Sequence, residues 1–224
     1  VVLENTTGGH VLPPAYIAEV AQLARSRGLA MHLDGARMFN AATANAARNG
    51  TDVYDEARAL CSHFDSASLC LSKGLGAPVG SLVLGSRDFI RQARRTRKIL
   101  GGGMRQAGVL AAAGHYALQH HVRRLTEDHA RLDRLAQGLA EANRSHPALQ
   151  GKITVLPWQT NILFTDLHAE VAPAFTAWLA QHGVRVTSSL YGGATRLRWV
   201  THLDVSEADV TAALDCVASF RLPG

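Results

Sequence analysis

The sequence predicts an α/β protein: a mostly parallel sheet with helices on both faces, followed by a smaller α+β domain. Three observations carry this expectation. Short apolar runs alternate with helical patterns through residues 1–118, the order that buries parallel strands between helices. Glycine and proline clusters punctuate those runs. Beyond a long amphipathic helix and the turn-rich stretch 147–151, the order changes to pairs of strands with two helices. The expected domains are therefore 1–118 and 119–224.

Residues 1–5 read as a strand and residues 6–10 as a turn. Pro13 and Pro14 open a helix at its first turn, where a missing N–H does no harm. Ile17, Val20, Ala21, Leu23 and Ala24 form its apolar face, and Gly28 ends it. Residues 29–33 are the next strand, with Asp34-Gly35-Ala36-Arg37 at its carboxyl end. Helices are expected over 40–47 and 53–59. The apolar run 67–71 reads as a buried strand, and 81–84 as its hairpin partner. A basic helix spans 87–99, Gly101-Gly102-Gly103 breaks the chain, and residues 104–118 are small and apolar, as in a buried helix.

A further helix covers 120–142, with Leu125, Leu132, Leu135 and Leu139 on one face. Strands follow at 153–156, 161–165, 184–187 and 197–201, with helices over 169–182 and 206–220. Ser206 is the expected N-cap of the last helix, and Asp209 supplies an acidic variant of the capping box. The sequence has no internal repeat.

Composition narrows the class. The chain has 224 residues, 47% hydrophobic and 18% charged, ordinary values for a globular protein. Its cysteines, Cys61, Cys70 and Cys216, form no C-x-x-C pair, which points to a reducing compartment and an expected cytoplasmic location. No apolar run approaches the roughly 18 residues of a membrane-spanning helix. Net charge is +5, and much of the excess lies in Arg87, Arg91, Arg94, Arg95, Arg97, Lys98 and Arg105. A basic surface attracts nucleic acid or small anions, so a nucleic-acid-binding module is one alternative. Against it, the stretch has a single aromatic residue, Phe89, where a single-strand binder needs several for base stacking. The chain opens on a strand with no cap or leader, from which an upstream portion is expected.

The stretch Leu69-Cys70-Leu71-Ser72-Lys73-Gly74-Leu75-Gly76-Ala77-Pro78-Val79-Gly80-Ser81 carries the chemistry. A lysine at the end of a buried strand is costly if charged and unpaired. Burial lowers its pKa towards a neutral, nucleophilic amine suited to a Schiff base, and flanking glycines let a flat ligand approach. The plain alternative is a strand followed by a turn, with Lys73 reaching to water. The glycine spacing matches neither a dinucleotide fingerprint nor a P-loop. Asp34 also sits at the carboxyl end of a strand, where ligands bind in open α/β sheets. A pyridoxal phosphate site needs such a pair: a lysine for the imine and a carboxylate to hold a proton on the pyridine nitrogen. Arg37 can then donate to the ring's phenolate oxygen. For Asp34 the alternative is a helix cap paired with Arg37. His115, His120, His121 and His129 lie on expected helices without a supporting cysteine or carboxylate cluster, so no metal centre is expected.

These motifs resemble the low-specificity threonine aldolases, pyridoxal-phosphate enzymes of the aspartate-aminotransferase fold (fold type I, within the beta-eliminating lyases). The resemblance runs through Leu3-Glu4-Asn5-Thr6, His32-Leu33-Asp34-Gly35-Ala36-Arg37 and residues 69–81. It continues through Gly101-Gly102-Gly103-Met104-Arg105-Gln106-Ala107-Gly108 and Arg198-Trp199-Val200-Thr201-His202-Leu203-Asp204-Val205-Ser206. It implies that Lys73 is the catalytic lysine, that Asp34 pairs with the pyridine nitrogen and that Arg37 meets the phenolic oxygen. It places Lys98 and Arg105 near the cofactor phosphate or the mouth of the site. It makes Arg198 the bidentate grip on the substrate carboxylate, which lysine cannot mimic; Arg196, on the same strand face, is a competitor outside the motif.

The implied reaction is cleavage of threonine-like β-hydroxy-α-amino acids to glycine and an aldehyde. The implied cofactor is pyridoxal 5'-phosphate, and the implied assembly is a homo-dimer or homo-tetramer. A β-eliminating lyase, transaminase or racemase on the same fold is the nearest rival. One departure stands out. Where the family often has E-N-T-H-N, this chain has Glu4-Asn5-Thr6-Thr7-Gly8. The family's phosphate-binding loop and ring-stacking histidine belong to an N-terminal segment, so the chain is expected to be the carboxyl-terminal portion of a longer enzyme.

Overall fold

The computed structural model describes residues 1–188 and 195–222. They divide into two compact units, Val1–Thr126 and Glu127–Gly224.

The first unit holds a four-stranded sheet in the order β1 (Val2–Glu4), β2 (His32–Asp34), β3 (Ser66–Cys70), β4 (Ser81–Gly85). The first three strands are parallel, and β4 returns antiparallel to β3, so the expected hairpin partner is present. Helix α1 (Pro14–Ser26) enters through Pro13 and Pro14 and buries Ile17, Ala21 and Ala24. Helix α2 (Met38–Asn49) and α3 (Val53–Cys61) follow β2. Asp52 caps α3 by accepting from the Tyr54 N–H.

Alternation along the strands gives the sheet two distinct faces. Leu33, Ala67 and Leu69 lie on one face and are buried in a core with Ile17, Met38, Phe39, Val53 and Leu60. Side chains of this size contribute about 1.5–3 kcal/mol each on burial. Register puts Glu4, Asp34 and Ser68 side by side on the other face, with His32 beside Ser66. Asp34, Ser68, His32 and Ser66 are half-buried.

Helix α4 (Arg87–Ile99) is capped by Ser86, which accepts from Phe89 N, and has no buried residue. Helix α5 (Gly108–His120) departs from expectation. Its small apolar run predicts a buried helix, yet only Gly114 and Ala117 are fully buried and Val109 is 77% exposed. Among the described residues Ala117 and Leu118 of α5 meet the core, Leu110 and Ala113 are half-buried, and Val109, Ala111, Ala112 and Tyr116 are exposed. Val122 and Leu125, just beyond α5, belong to the same core.

The second unit is built on α6 (Leu125–Ser145) and an antiparallel sheet in the order β5 (Ile153–Val155), β6 (Ile162–Leu167), β8 (Arg196–Val200), β7 (Thr187–Ser188). Leu163, Leu167, Leu197 and Trp199 pack against Leu132 and Leu139 of α6, Phe175 and Leu179 of α7 (Ala172–Gln181), and Val210 and Val217 of α8 (Glu207–Ser219). Buried Trp199 Nε1 donates to Thr165 Oγ1 at 3.0 Å, so its polar atom is satisfied. The capping box read from the sequence is present: Ser206 Oγ accepts from Asp209 N and the Asp209 carboxylate accepts from Ser206 N.

Candidate active site

Asp34 and Lys73 reach the same edge of the first sheet by different routes. Asp34 is the last residue of β2, and its backbone carbonyl accepts from Asn5 N at 3.0 Å, which ties it to the end of β1. One carboxylate oxygen, Oδ1, accepts from Ala36 N at 3.1 Å. That bond fixes the side chain over the turn leading into α2. The next residue has no room for a side chain: a Cβ at Gly35 would lie 2.6 Å from the Ser68 carbonyl oxygen of β3. Gly35 N donates to that same oxygen at 2.9 Å. The glycine therefore draws the Asp34 turn against the neighbouring strand. Arg37, half-buried, stands at the N-cap of α2.

Lys73 lies three residues beyond the end of β3, the parallel neighbour of β2. The loop that carries it is closed by Leu71 N to Gly80 O at 3.0 Å, Ala77 N to Leu71 O at 2.9 Å and Gly76 N to Lys73 O at 2.8 Å. Leu71, Leu75 and Ala77 are buried while Ser72, Lys73 and Pro78 are exposed. This corrects the expected burial of Lys73. The strand ends at Cys70, and the turn lifts the amine out of the core instead of burying it at a strand end.

Lys98 is in the last turn of α4, and Arg105 is in the loop before α5. Both are exposed, and neither side chain has a hydrogen bond or ion pair to Asp34 or Lys73 among the described residues.

In the second unit, Arg198 sits mid-β8 on the half-buried face, opposite Phe164 of β6 and Thr187 of β7. Arg196 lies on the same face and is engaged: its Nε and Nη2 donate to Asp166 Oδ1 and Oδ2 at 2.6 and 2.7 Å. Those bonds hold the Asp166 carboxyl below the usual carboxylate range and raise the Arg196 pKa. Arg198 has no such partner among the described residues.

Two buried residues at the sheet edge carry no role in the sequence reading. Asn5 and Thr6 are each 1% exposed. Asn5 Oδ1 accepts from Leu12 N at 3.2 Å, but Asn5 Nδ2 and Thr6 Oγ1 have no hydrogen-bond partner among the described residues. Buried polar atoms without partners are rare and mark a missing contact. Asn5 and Thr6 follow directly on β1, whose last residue Glu4 pairs with Asp34 at the end of β2, and that place at a strand's carboxyl end is the signal available in the sequence. The pairing of Asp166 with Arg196 had no such signal, because it depends on strand register. Among the described residues no group of histidine, cysteine and acidic side chains is arranged to hold a metal.

A family model described as beta-eliminating lyase matches residues 1–161. The chain belongs to the beta-eliminating lyase family. Low specificity L-threonine aldolase from Escherichia coli strain K12 is 44% identical over 204 residues, covering 91% of this chain and 55% of the relative. Probable low-specificity L-threonine aldolase 2 from Arabidopsis thaliana is 41% identical, covering 96% of this chain and 58% of the relative. The chain thus spans little more than half the length of these curated relatives. Among solved structures, a putative aromatic amino acid beta-eliminating lyase/threonine aldolase from Exiguobacterium aligns over 97% of this chain and 60% of its own, with TM-score 0.74 and 17% identity. Threonine aldolase from Leishmania major aligns with TM-score 0.72, 17% identity, and coverage of 97% and 59%. At that identity these structures establish the α/β fold with its mostly parallel sheet.

Proposed function

We propose that the protein containing this chain cleaves L-threonine, L-allo-threonine and related β-hydroxy-α-amino acids to glycine and an aldehyde, using pyridoxal 5'-phosphate. The observation that carries the reading is the placement of Asp34 and Lys73 after adjacent parallel strands, at the sheet edge where α/β folds bind ligands. The identity to low-specificity threonine aldolases supports the choice of reaction.

The residues fit the cofactor. An exposed amine and a half-buried carboxylate follow adjacent parallel strands, and Asn5 Nδ2 and Thr6 Oγ1, without partners among the described residues, follow the strand paired with that of Asp34. When bound, pyridoxal phosphate supplies a sink for the electrons of the bond broken at Cα. Lys73 Nζ would be the amine that holds the cofactor. Asp34 would hold a proton on the ring nitrogen, and Arg37 would donate to the ring oxygen. Lys98 and Arg105 attract the phosphate. Arg198 would grip the substrate carboxylate through two N–H groups.

The reading includes an upstream portion of the same enzyme and a homo-dimer or homo-tetramer. Two features support these partners. The outer edges of β1 and β4 pair with no strand among the described residues, and unpaired edges are normally covered. Ile99, Leu100, Met104 and Val109, close in sequence, are each at least 65% exposed, and large apolar side chains left open support a covering partner. No helix among the described residues is long and apolar enough to cross a membrane.

Product analysis tests the reading. Incubation with threonine is expected to release glycine and acetaldehyde. Formation of a keto acid without glycine would favour an eliminating lyase or transaminase instead.

A further inference from the structure

Beyond the groups that meet the ligand, something must hold the lysine turn in place. Lys73 heads a four-residue turn closed by Gly76 N donating to Lys73 O at 2.8 Å. Gly76 adopts a positive φ of 69° to complete it, a conformation glycine takes without strain. Glycine-rich loops have few side-chain contacts of their own and depend on their surroundings for order.

A histidine side chain from outside the loop bonds to its backbone. His121, the C-cap of α5, lies with Nδ1 2.6 Å from the Leu75 carbonyl oxygen. A carbonyl can only accept, so Nδ1 carries the proton and the tautomer follows from the partner. The ring is held from a second side by Tyr116, whose ring meets it edge-on at 5.5 Å between centroids. The helix itself approaches the loop closely, since a Cβ on Gly114 would lie 2.8 Å from Leu71 Cδ1. Below the turn, a Cβ on Gly74 would lie 3.0 Å from Leu125 Cδ2. The turn thus rests against Leu125, with the Asn40 side chain also beside Gly74, while His121 holds the Leu75 carbonyl.

We propose that His121 is the positioning residue of the Lys73 turn: by anchoring the Leu75 carbonyl it fixes the direction in which the Lys73 amine is presented. The functional consequence rests on the reading of Lys73 as the cofactor lysine; the anchoring itself does not. The histidine touches neither ligand nor substrate, so its effect passes through the backbone. Loss of the bond leaves the carboxylate grip of Arg198 untouched, so turnover falls while KM for threonine changes little.

The test compares His121→Leu with His121→Asn in the full enzyme. Asparagine Nδ2 can reach about where the histidine Nδ1 lies, and it also donates. Two readouts are used. Hydrogen exchange of the Gly76 and Ala77 amides is followed without cofactor. The rate at which pyridoxal phosphate becomes fixed to Lys73 by borohydride is followed with it. In His121→Leu, exchange is expected to rise and attachment to slow, each about tenfold, for the loss of one hydrogen bond worth roughly 1.4 kcal/mol. His121→Asn is expected to recover most of both. Unchanged exchange in His121→Leu would overturn the anchoring role whatever the lysine does. Faster exchange with attachment at the normal rate would overturn the presentation role. No attachment in the unaltered enzyme would instead remove the cofactor reading and leave the exchange result to decide the anchor.

Discussion

Asp166 holds Arg196 by both prongs and leaves Arg198, two residues along on the same face of β8, without an ion pair among the described residues. Sequence offered two arginines for one carboxylate. Strand register decides between them, because β6 sets Asp166 opposite Arg196 and the apolar ring of Phe164 opposite Arg198. The uncommitted guanidinium is therefore Arg198.

Exchanging each arginine for lysine separates their roles. Arg198→Lys keeps the charge but loses the fork, so KM for threonine is expected to rise about tenfold or more. Arg196→Lys should stay within about twofold, since its partner is a protein carboxylate. Steady-state kinetics on both variants gives the answer. A larger effect at Arg196 would reverse the assignment.

Gly35 sets how closely the Asp34 turn approaches β3. An alanine Cβ there would press into the Ser68 carbonyl oxygen at 2.6 Å, a backbone atom that cannot swing aside. Gly35→Ala is expected to cost about 1–3 kcal/mol of stability and to weaken cofactor affinity, because Asp34 moves with the turn. Urea unfolding and a cofactor titration measure the two effects.

His129 on α6 gives the fold an acid sensitivity. Burial lowers its pKa to about 4 from the ordinary 6.5. Between those values the unfolded chain binds the proton and the folded chain does not, so stability falls as pH drops below about 6.5. Lowering pH from 7 to 5 should cost about 2 kcal/mol through this group. His129→Gln should flatten that part of the profile, as followed by urea unfolding at each pH. An unaltered slope would show that other groups dominate.

Local patterns made most elements legible. The proline pair opening α1, the Ser86 and Ser206 caps and the alternation through β3 each belong to a few adjacent residues. The same held for the placement of Asp34 and Lys73, because strand ends are visible in apolar runs. Exposure was not legible. The run 67–71 leads straight to Lys73 and predicts a buried amine, whereas the strand stops at Cys70 and the chain turns outward. α5 looked buried because its residues are small and apolar, but composition says only that a surface wants covering, not that this chain covers it. The unpartnered atoms of Asn5 and Thr6 and the Asp166–Arg196 pair arise from contacts between distant segments, which no local pattern encodes.

The central claim is that Lys73 carries the cofactor. The direct measurement is borohydride reduction of the enzyme loaded with pyridoxal phosphate, followed by peptide mass mapping. The account expects a stable pyridoxyl mass increment on Lys73, absent in Lys73→Ala along with the cofactor's imine absorbance. An increment on another lysine, or absorbance that survives in Lys73→Ala, would contradict it.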